Sequence, residues 1–409
     1  MTLDHVEVSR EDVEIAIVGG GPAGAALATR LAAAGHEVIV LERQPTWRWR
    51  AGGVFASPAA MDALRRLGLD SAVLDAVARP IPAMRVETPR GTSFRLTYGA
   101  DAGGAPAVGF DRSRLDPELL ELARRAGADV RLGWTATAID PLEGTLQVRG
   151  PAGASASVRA EIVVGADGQR SIVARAAAVD RPSRLGPRIG LTYHLSDPDA
   201  AADRDARMRL LRDGYVGVAP VPGGRVNVGI VLGRSWHAQV GERGGRSVAE
   251  SIVAAIPPIA GDTGAWRHGP PTDAIVGAWP LAHRVTRRVG ARWLLVGDAV
   301  GFLDPFTGEG IHRALVSAEL AAAAIRARAR GTKRAFEAYD RAMQRRFLAK
   351  DVVSWLVQAF LARPAAFEYA ARRLATRPTT RATLGLVMGD LVGAGRALDP
   401  RYLAAMLAP

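Results

Sequence analysis

The stretch EIAIVGGGPAGAALATRLAAAGHEVIVLE, residues 14–42, decides how the rest of the chain is read. Residues 14–18 are a short apolar run, 25–34 a helix-forming run that stops at Gly35, and 37–41 a second apolar run closed by Glu42. Gly19, Gly21 and Gly24 stand at GxGxxG spacing between the first strand and the helix. In that context one glycine makes a tight turn, one admits a pyrophosphate to the backbone, and one lets helix and strand pack closely. Glu42, ending the second strand, suits a ribose diol. It also opposes a 2′-phosphate, which at about 4 Å and an effective dielectric near 20 would be repelled by several kcal/mol. The pattern predicts a βαβ unit that holds a dinucleotide.

A second anion-seeking stretch lies far downstream: LLVGDAVGFLDPFTGEGIHRA, residues 294–314. A short apolar strand runs into Gly297 and Asp298, then a turn-rich loop, then an Ala-rich helix opening near Gly310 and Ile311. This layout aims backbone N–H groups and one carboxylate at a single point. The helix start brings roughly half a positive charge. A third strand of this kind, residues 161–168 (EIVVGADG), ends at Asp167 and Gly168. By itself Asp167 reads equally as a helix-cap or turn residue.

Composition limits the alternatives. The chain has 409 residues, 48% hydrophobic, enough for two or three domains with full cores. Its net charge of +12 comes almost wholly from arginine, with lysine only at Lys333 and Lys350. The arginines are scattered among acids, which argues against nucleic acid. There is no cysteine, so thiolate chemistry is excluded. No apolar signal segment opens the chain and no run of about 18 uncharged apolar residues occurs. The default expectation is cytoplasmic, with peripheral membrane contact through the C-terminal helices as an addition.

Along the chain, residues 84–98 read as a hairpin around Pro89, Arg90 and Gly91, and 111–126 as a helix with Leu115, Leu119, Leu122 and Ala126 on one face. Residues 188–288 change to strands and turns, with alternation such as Val226, Val228 and Ile230. After Gly331 the pattern is helical. Trp355, Leu356, Phe360 and Leu361 form an apolar cluster, read first as a domain-packing face and second as a membrane-surface face. The expected fold is α/β: a Rossmann-like parallel-sheet domain (residues 1–83, 111–187 and 289–331), an interleaved antiparallel β substrate domain (84–110 and 188–288), and a helical C-terminal region (332–409).

Taken together, residues 19–24 with Glu42, Gly165-Ala166-Asp167-Gly168, and Gly297-Asp298 resemble the three FAD fingerprints of the p-hydroxybenzoate hydroxylase-type flavoproteins. Within that superfamily GDAVGFLDPFTGEGI is most similar to the geranylgeranyl reductase branch. Arg50-Ala51-Gly52-Gly53, residues 214–227 and Met388-Gly389-Asp390-Leu391 extend the likeness over most of the chain. Two features depart from it: Ala51 stands where prenyl reductases usually carry Cys, and a hairpin pattern of Tyr, Trp and Phe-Pro reads here as Tyr215, Gly217 and Ala219-Pro220.

The resemblance implies FAD, with its adenosine diphosphate along Gly19, Gly21, Pro22, Ala23 and Gly24, its ribose on Glu42, and Arg43 nearby. It implies that Arg112 reaches the cofactor, that Asp298 bonds the ribityl side, that Asp167 and Gly168 serve FAD and a visiting nicotinamide, and that Gly53, Gly308, Gly310 and Ile311 border the ring. No second strand–helix GxGxxG unit is present, so NADPH or NADH is expected as a transient reductant. Arg85, Arg95, Tyr193, Tyr215, Pro305 and Phe306 are candidates for the substrate face. His312 reads as a helix-surface residue, no side chain stands out as an acid or base, and no metal-ligand spacing occurs.

The small residues at 217 and 219 open space above a flavin. The leading expectation is therefore an NAD(P)H-consuming, oxygen-using monooxygenase of a lipophilic aromatic, phenolic or polyketide-like small molecule in secondary metabolism. The alternative is an ene-reductase of prenyl or quinone-tail double bonds, and a third reading is a non-catalytic or electron-carrying FAD protein.

Overall fold

The computed structural model describes residues 9–47, 52–99, 104–197, 205–256 and 269–407. Arg50 and Ala51 lie outside the described residues. A seven-stranded sheet forms around the first strand, Ser9–Val18, which pairs in parallel with Val38–Glu42 on one side and Ser155–Gly165 on the other. Asp129–Leu132 extends one edge in parallel, and Trp293–Leu295 adds to Ser155–Gly165, also in parallel. Thr145–Arg149 and Thr135–Asp140 complete it as antiparallel strands. Strands buried on both faces read as unbroken apolar runs rather than alternation, and Val38–Glu42 is buried at every position.

Helix Pro22–Ala32 leaves the first strand through Gly21, with Pro22 at its first position, where a missing N–H costs nothing. Eight of its residues are buried, half of them alanine, and it packs against the Ala-rich helix Gly310–Ala329. Small side chains let two helices lie on the same sheet face. The closeness has a limit that only glycine meets: a Cβ at Gly24 would stand 2.0 Å from the Gly19 carbonyl oxygen.

A second seven-stranded sheet carries Val276–Ala278, Ile189–Ser196, Arg225–Leu232, Gly214–Val221, Ala206–Leu211, Met84–Glu87 and Ser93–Leu96, in that order. All its pairings are antiparallel except Ala206–Leu211 with Met84–Glu87. Period-two alternation gives it two different faces. Leu191, Tyr193, Val216, Val218, Val228 and Ile230 pack on the far face with Val248 and Ile252 of helix Gly245–Ala254. Met84, Phe94, Met208, Leu210, Tyr215 and Ala219 line the near face, against Val353, Leu374, Val387 and Met388 of the C-terminal helices. Phe302 and Phe306, from the loop after Trp293–Leu295, pack into the same cluster. The near face is thus the one that meets the nucleotide-type domain.

The helical region expected after Gly331 is observed as Ala335–Leu361, Pro364–Thr376, Pro378–Met388 and Pro400–Leu407. No described helix is long and apolar enough to cross a membrane. Gly24→Ala should cost about 1–3 kcal/mol, as overpacking does, read as a lower urea midpoint in equilibrium unfolding. An unchanged midpoint would show that the strand–helix approach is not a real constraint.

Candidate functional site

Three loops converge at the carboxyl ends of the parallel strands. Gly19 has φ +104, and a Cβ there would lie 2.6 Å from the Ala166 carbonyl oxygen, so the loop after Ser155–Gly165 rests directly on the first glycine turn. Gly297, at φ +60, would bring a Cβ within 2.7 Å of Ala23 Cβ. Its N–H donates to Ser317 Oγ at 2.9 Å, which ties the third loop to helix Gly310–Ala329. Sequence segments nearly three hundred residues apart therefore meet with no room for a side chain between them.

Where room is left, it faces the convergence. A Cβ at Gly21 or Gly310 would meet nothing within 4 Å, and both residues stand at helix starts, where N–H groups lack partners. Glu42 is only 1% exposed. Its Oε2 accepts the Gly20 N–H and its Oε1 the Gln44 N–H, each at 2.9 Å, so the carboxylate is fixed at the strand end. Arg43 lies exposed beside it. Asp298 receives no hydrogen bond on its carboxylate among the described residues. Burial pushes its pKa up, against the opposing charges of His283, Arg112 and Arg313. An acid held in a recess without a partner, flanked by open glycines, fits FAD: its hydroxyl-bearing chain at Asp298 and its diphosphate at Gly21.

Arg112 forks onto Asp116, with both bonds at 2.6 Å, and donates to the Gly52 carbonyl at 3.0 Å. A Cβ at Gly53 would strike Arg112 Nη1 at 2.4 Å and Ile311 Cγ1 at 3.4 Å, so Gly53, Arg112 and Ile311 share one spot. Gly308, at φ +67, lies against the Phe55 ring, and its carbonyl accepts the Ser57 N–H at 3.3 Å. Asp167 Oδ2 accepts the Ile172 N–H at 2.6 Å, a turn-closing role. Its Oδ1 is buried with no partner among the described residues, and burial raises its pKa. Gly168, at φ +78, supplies the turn.

Behind the Gly308–Ile311 turn is a buried polar array that sequence reading missed. Lys350 Nζ lies 2.9 Å from Asp390 Oδ1 and 3.8 Å from Glu309 Oε2, and donates to the Val387 carbonyl at 2.8 Å. Ser57 Oγ donates to Asp390 Oδ2 at 3.0 Å, and His312 Nδ1 approaches the same oxygen at 3.1 Å. Burial alone would raise the Asp390 pKa, yet the bonds and charges of His312 and Lys350 hold it well below the usual carboxylate range. His312 is accordingly a buried member of this array and not the surface residue its position suggested. A signal was present. In a chain that uses arginine almost everywhere, Lys350 fills a place that needs a compact ammonium with three donors.

The substrate-side candidates divide by strand parity. Tyr215 is buried on the near face and donates to Asp304 Oδ1 at 2.5 Å, with its ring edge-on to Phe306 at 5.2 Å. Asp304 also accepts from Arg188 at 2.8 Å and from the Phe306 N–H at 3.0 Å, with Pro305 between them in the turn. Arg188 continues to Gln358 Oε1 at 2.5 Å. Burial and Asp304 push the Tyr215 pKa well up, so its phenol keeps its proton. Tyr193, Arg85 and Arg95 do not join this group. Tyr193, Val228, Val218, Arg207, Arg85 and Arg95 are successive cross-strand partners in one row, so all six point to the far face. There Tyr193 packs in the core under helix Gly245–Ala254, and Arg95 pairs with Asp205 at the surface.

The next row on the near face reads Thr192, Gly229, Gly217 and Met208. A Cβ at Gly217 would find only Met208 Cε, at 3.5 Å, and Sδ, at 3.8 Å, before a backbone oxygen at 3.9 Å, and one at Gly229 finds Asn227 Oδ1 at 3.9 Å. Two adjacent bare-backbone positions thus form a strip on the face that meets the Asp304–Phe306 turn.

Comparison with known proteins gives an FAD-binding family. A family model described as FAD binding domain matches residues 12–355. The digeranylgeranylglycerophospholipid reductase of Methanoculleus marisnigri is 29% identical over 330 residues, 76% of each chain. A geranylgeranyl bacteriochlorophyll reductase-like structure from Thermoplasma acidophilum superposes with a TM-score of 0.74 at 22% identity, covering 98% of this chain and 97% of that one. The structure of CmlS, a flavin-dependent halogenase, gives a TM-score of 0.71 at 25% identity, covering 93% of this chain and 68% of that one.

Two substitutions separate cofactor from fold. Gly21→Ala places a methyl in open space at an allowed φ of −69, so it should leave the melting temperature of the cofactor-free protein unchanged while lowering FAD retention at least ~10-fold, about 1.4 kcal/mol. Because the folded-state pKa of Asp298 is raised, its ionised form penalises the cofactor-free fold. That penalty is full above the folded pKa, shrinks as pH falls through it, and vanishes below about 4. Asp298→Asn should therefore raise the melting temperature of the cofactor-free protein at neutral pH, flatten its acid-side pH dependence and weaken FAD binding.

Proposed function

We propose a reduction for this chain, which belongs to the FAD-binding-domain family and is an FAD-dependent oxidoreductase: the saturation of isolated double bonds in a lipophilic polyprenyl-type compound at the expense of NAD(P)H. The observation that carries this reading is the near face of the second sheet. Its walls are Ile81, Met84, Met208, Leu210, Val231 and Leu281, its floor is the Gly217–Gly229 strip, and its ionisable groups are paired: Tyr215 and Arg188 with Asp304, and His194 with Asp273. Hydroxylating a phenol calls for a base or cation free to act on the ring oxygen. An alkene chain calls for none, only burial worth about 25 cal/mol per Å². The relatives named as reductases support the same direction.

In this reading bound FAD supplies the hydride chemistry. The chain's own part is to hold, orient and exclude water. Asp304, fixed by Arg188 and the Phe306 N–H, sets the Tyr215 phenol, and Tyr215 Oη holds a proton that neutral pH does not remove. The Phe306 ring is braced by Tyr215 and gives the apolar wall beside the Gly308–Ile311 turn.

A second reading, oxygen-dependent hydroxylation of a wide flat substrate, is favoured by one feature, the bare strip at Gly217 and Gly229. Anaerobic turnover with NAD(P)H and polyprenyl quinones or lipids should give a product heavier by two hydrogens and free of label from labelled oxygen. A product formed only with oxygen and carrying the label would replace the reduction by the second reading. Gly217→Trp should fill the strip, raise KM at least ~10-fold for a bulky substrate and leave flavin content unchanged. An unchanged KM would remove the strip from the substrate path.

A further inference from the structure

The apolar cluster expected to be a domain-packing face is split by the fold. Leu361 packs onto the near-face core, whereas Trp355 and Leu356 remain 39% exposed. They are joined on the outer side of helix Ala335–Leu361 by Leu348, 65% exposed, and Val352. Positions 348, 352, 355 and 356 fall on one helical face at the i, i+4, i+7, i+8 spacing. Arg341 and Arg345 continue that face toward the N-terminus and exposed Arg363 follows its C-terminal end. No acid interrupts the exposed face between them; Asp351, at its edge, is held by Arg313.

We infer that this face is a docking surface for an anionic phospholipid bilayer, with Leu348, Val352, Trp355 and Leu356 entering the interface and the flanking arginines on lipid phosphates. Charge and shape commit the face to that occupant. An amphipathic helix with arginine at the rim and Trp and Leu at the centre lies in the headgroup plane, its apolar side about 5–10 Å deep. Arginine stems lie along apolar surface while the guanidinium reaches phosphate. The opposite side of the same helix carries Val353 in the near-face core, Lys350 on Asp390 and Gln358 on Arg188. The proposed contact is therefore one helix diameter, about 10–12 Å, from the groups that back the flavin-facing turn. The surface is independent of the reaction that the site performs.

The test is co-sedimentation of the FAD-loaded full chain with vesicles of phosphatidylcholine alone or mixed with phosphatidylglycerol. The expected result is partition at least ~10-fold stronger on the anionic vesicles, falling with salt, at roughly fivefold per arginine engaged. Leu348→Gln/Trp355→Gln and, separately, Arg341→Gln/Arg345→Gln/Arg363→Gln should each lower it at least ~10-fold, with melting temperature and flavin content unchanged. If one set fails to fold, the other decides. Equal binding to both vesicle types, or binding indifferent to the variants, overturns the inference. So does a concentration-dependent dimer that Leu348→Gln/Trp355→Gln dissociates while vesicles are ignored, since the face would then join two copies of the chain. An oxygen-dependent reaction would leave the partition result intact.

Discussion

The structure depends on how closely three backbone loops approach one another at the carboxyl ends of the parallel strands. Hypothetical Cβ atoms at Gly19, Gly24 and Gly297 fall 2.0–2.7 Å from atoms of another loop or turn, distances no side chain survives. That closeness places Asp298, the Gly21 helix start and the Gly310 helix start around one recess. It also sets the angle at which helix Gly310–Ala329 leaves, and hence where Glu309 and His312 meet the C-terminal helices. The cofactor recess and the helical tail are mechanically one unit, joined through Lys350 and Asp390.

Much of this was legible in the sequence because its signals are local. The glycine spacing at residues 19–24, the strand endings at Asp167 and Asp298, and the hairpin at residues 84–98 each rest on backbone requirements that a few neighbouring residues express. The substrate face was less legible. Whether Tyr193 or Thr192 faces the cleft is set by parity along Ile189–Ser196, and parity acquires meaning only when one knows which face the C-terminal helices cover. Tyr215 falls on the near face, whereas Tyr193, Arg85 and Arg95 all fall on one row of the far face. The buried array was illegible for a different reason. Its partners, Ser57, Glu309, Lys350 and Asp390, are separated by up to 333 residues, and nothing in local pattern pairs them.

The site also shows a division of labour in its charges. Acids that touch protein partners, such as Asp390 with Lys350 and Asp304 with Arg188, lock the walls. Asp298, whose carboxylate accepts no hydrogen bond among the described residues, is the one that fits the cofactor. Leaving a carboxylate unsatisfied destabilises the empty fold, and binding relieves it, which couples folding to cofactor loading. The near face follows the opposite strategy: its polar groups are closed on themselves, and an apolar surface with a bare strip is left, as the proposed lipophilic substrate requires.

The central claim is that this FAD-dependent chain hands its electrons to a carbon–carbon double bond and not to oxygen. The most direct measurement is the flavin absorbance of enzyme reduced without oxygen and then mixed, still without oxygen, with a polyprenyl substrate. The account predicts that the oxidised flavin spectrum returns as saturated product forms in equal amount. A flavin that stays reduced until oxygen is admitted would contradict it.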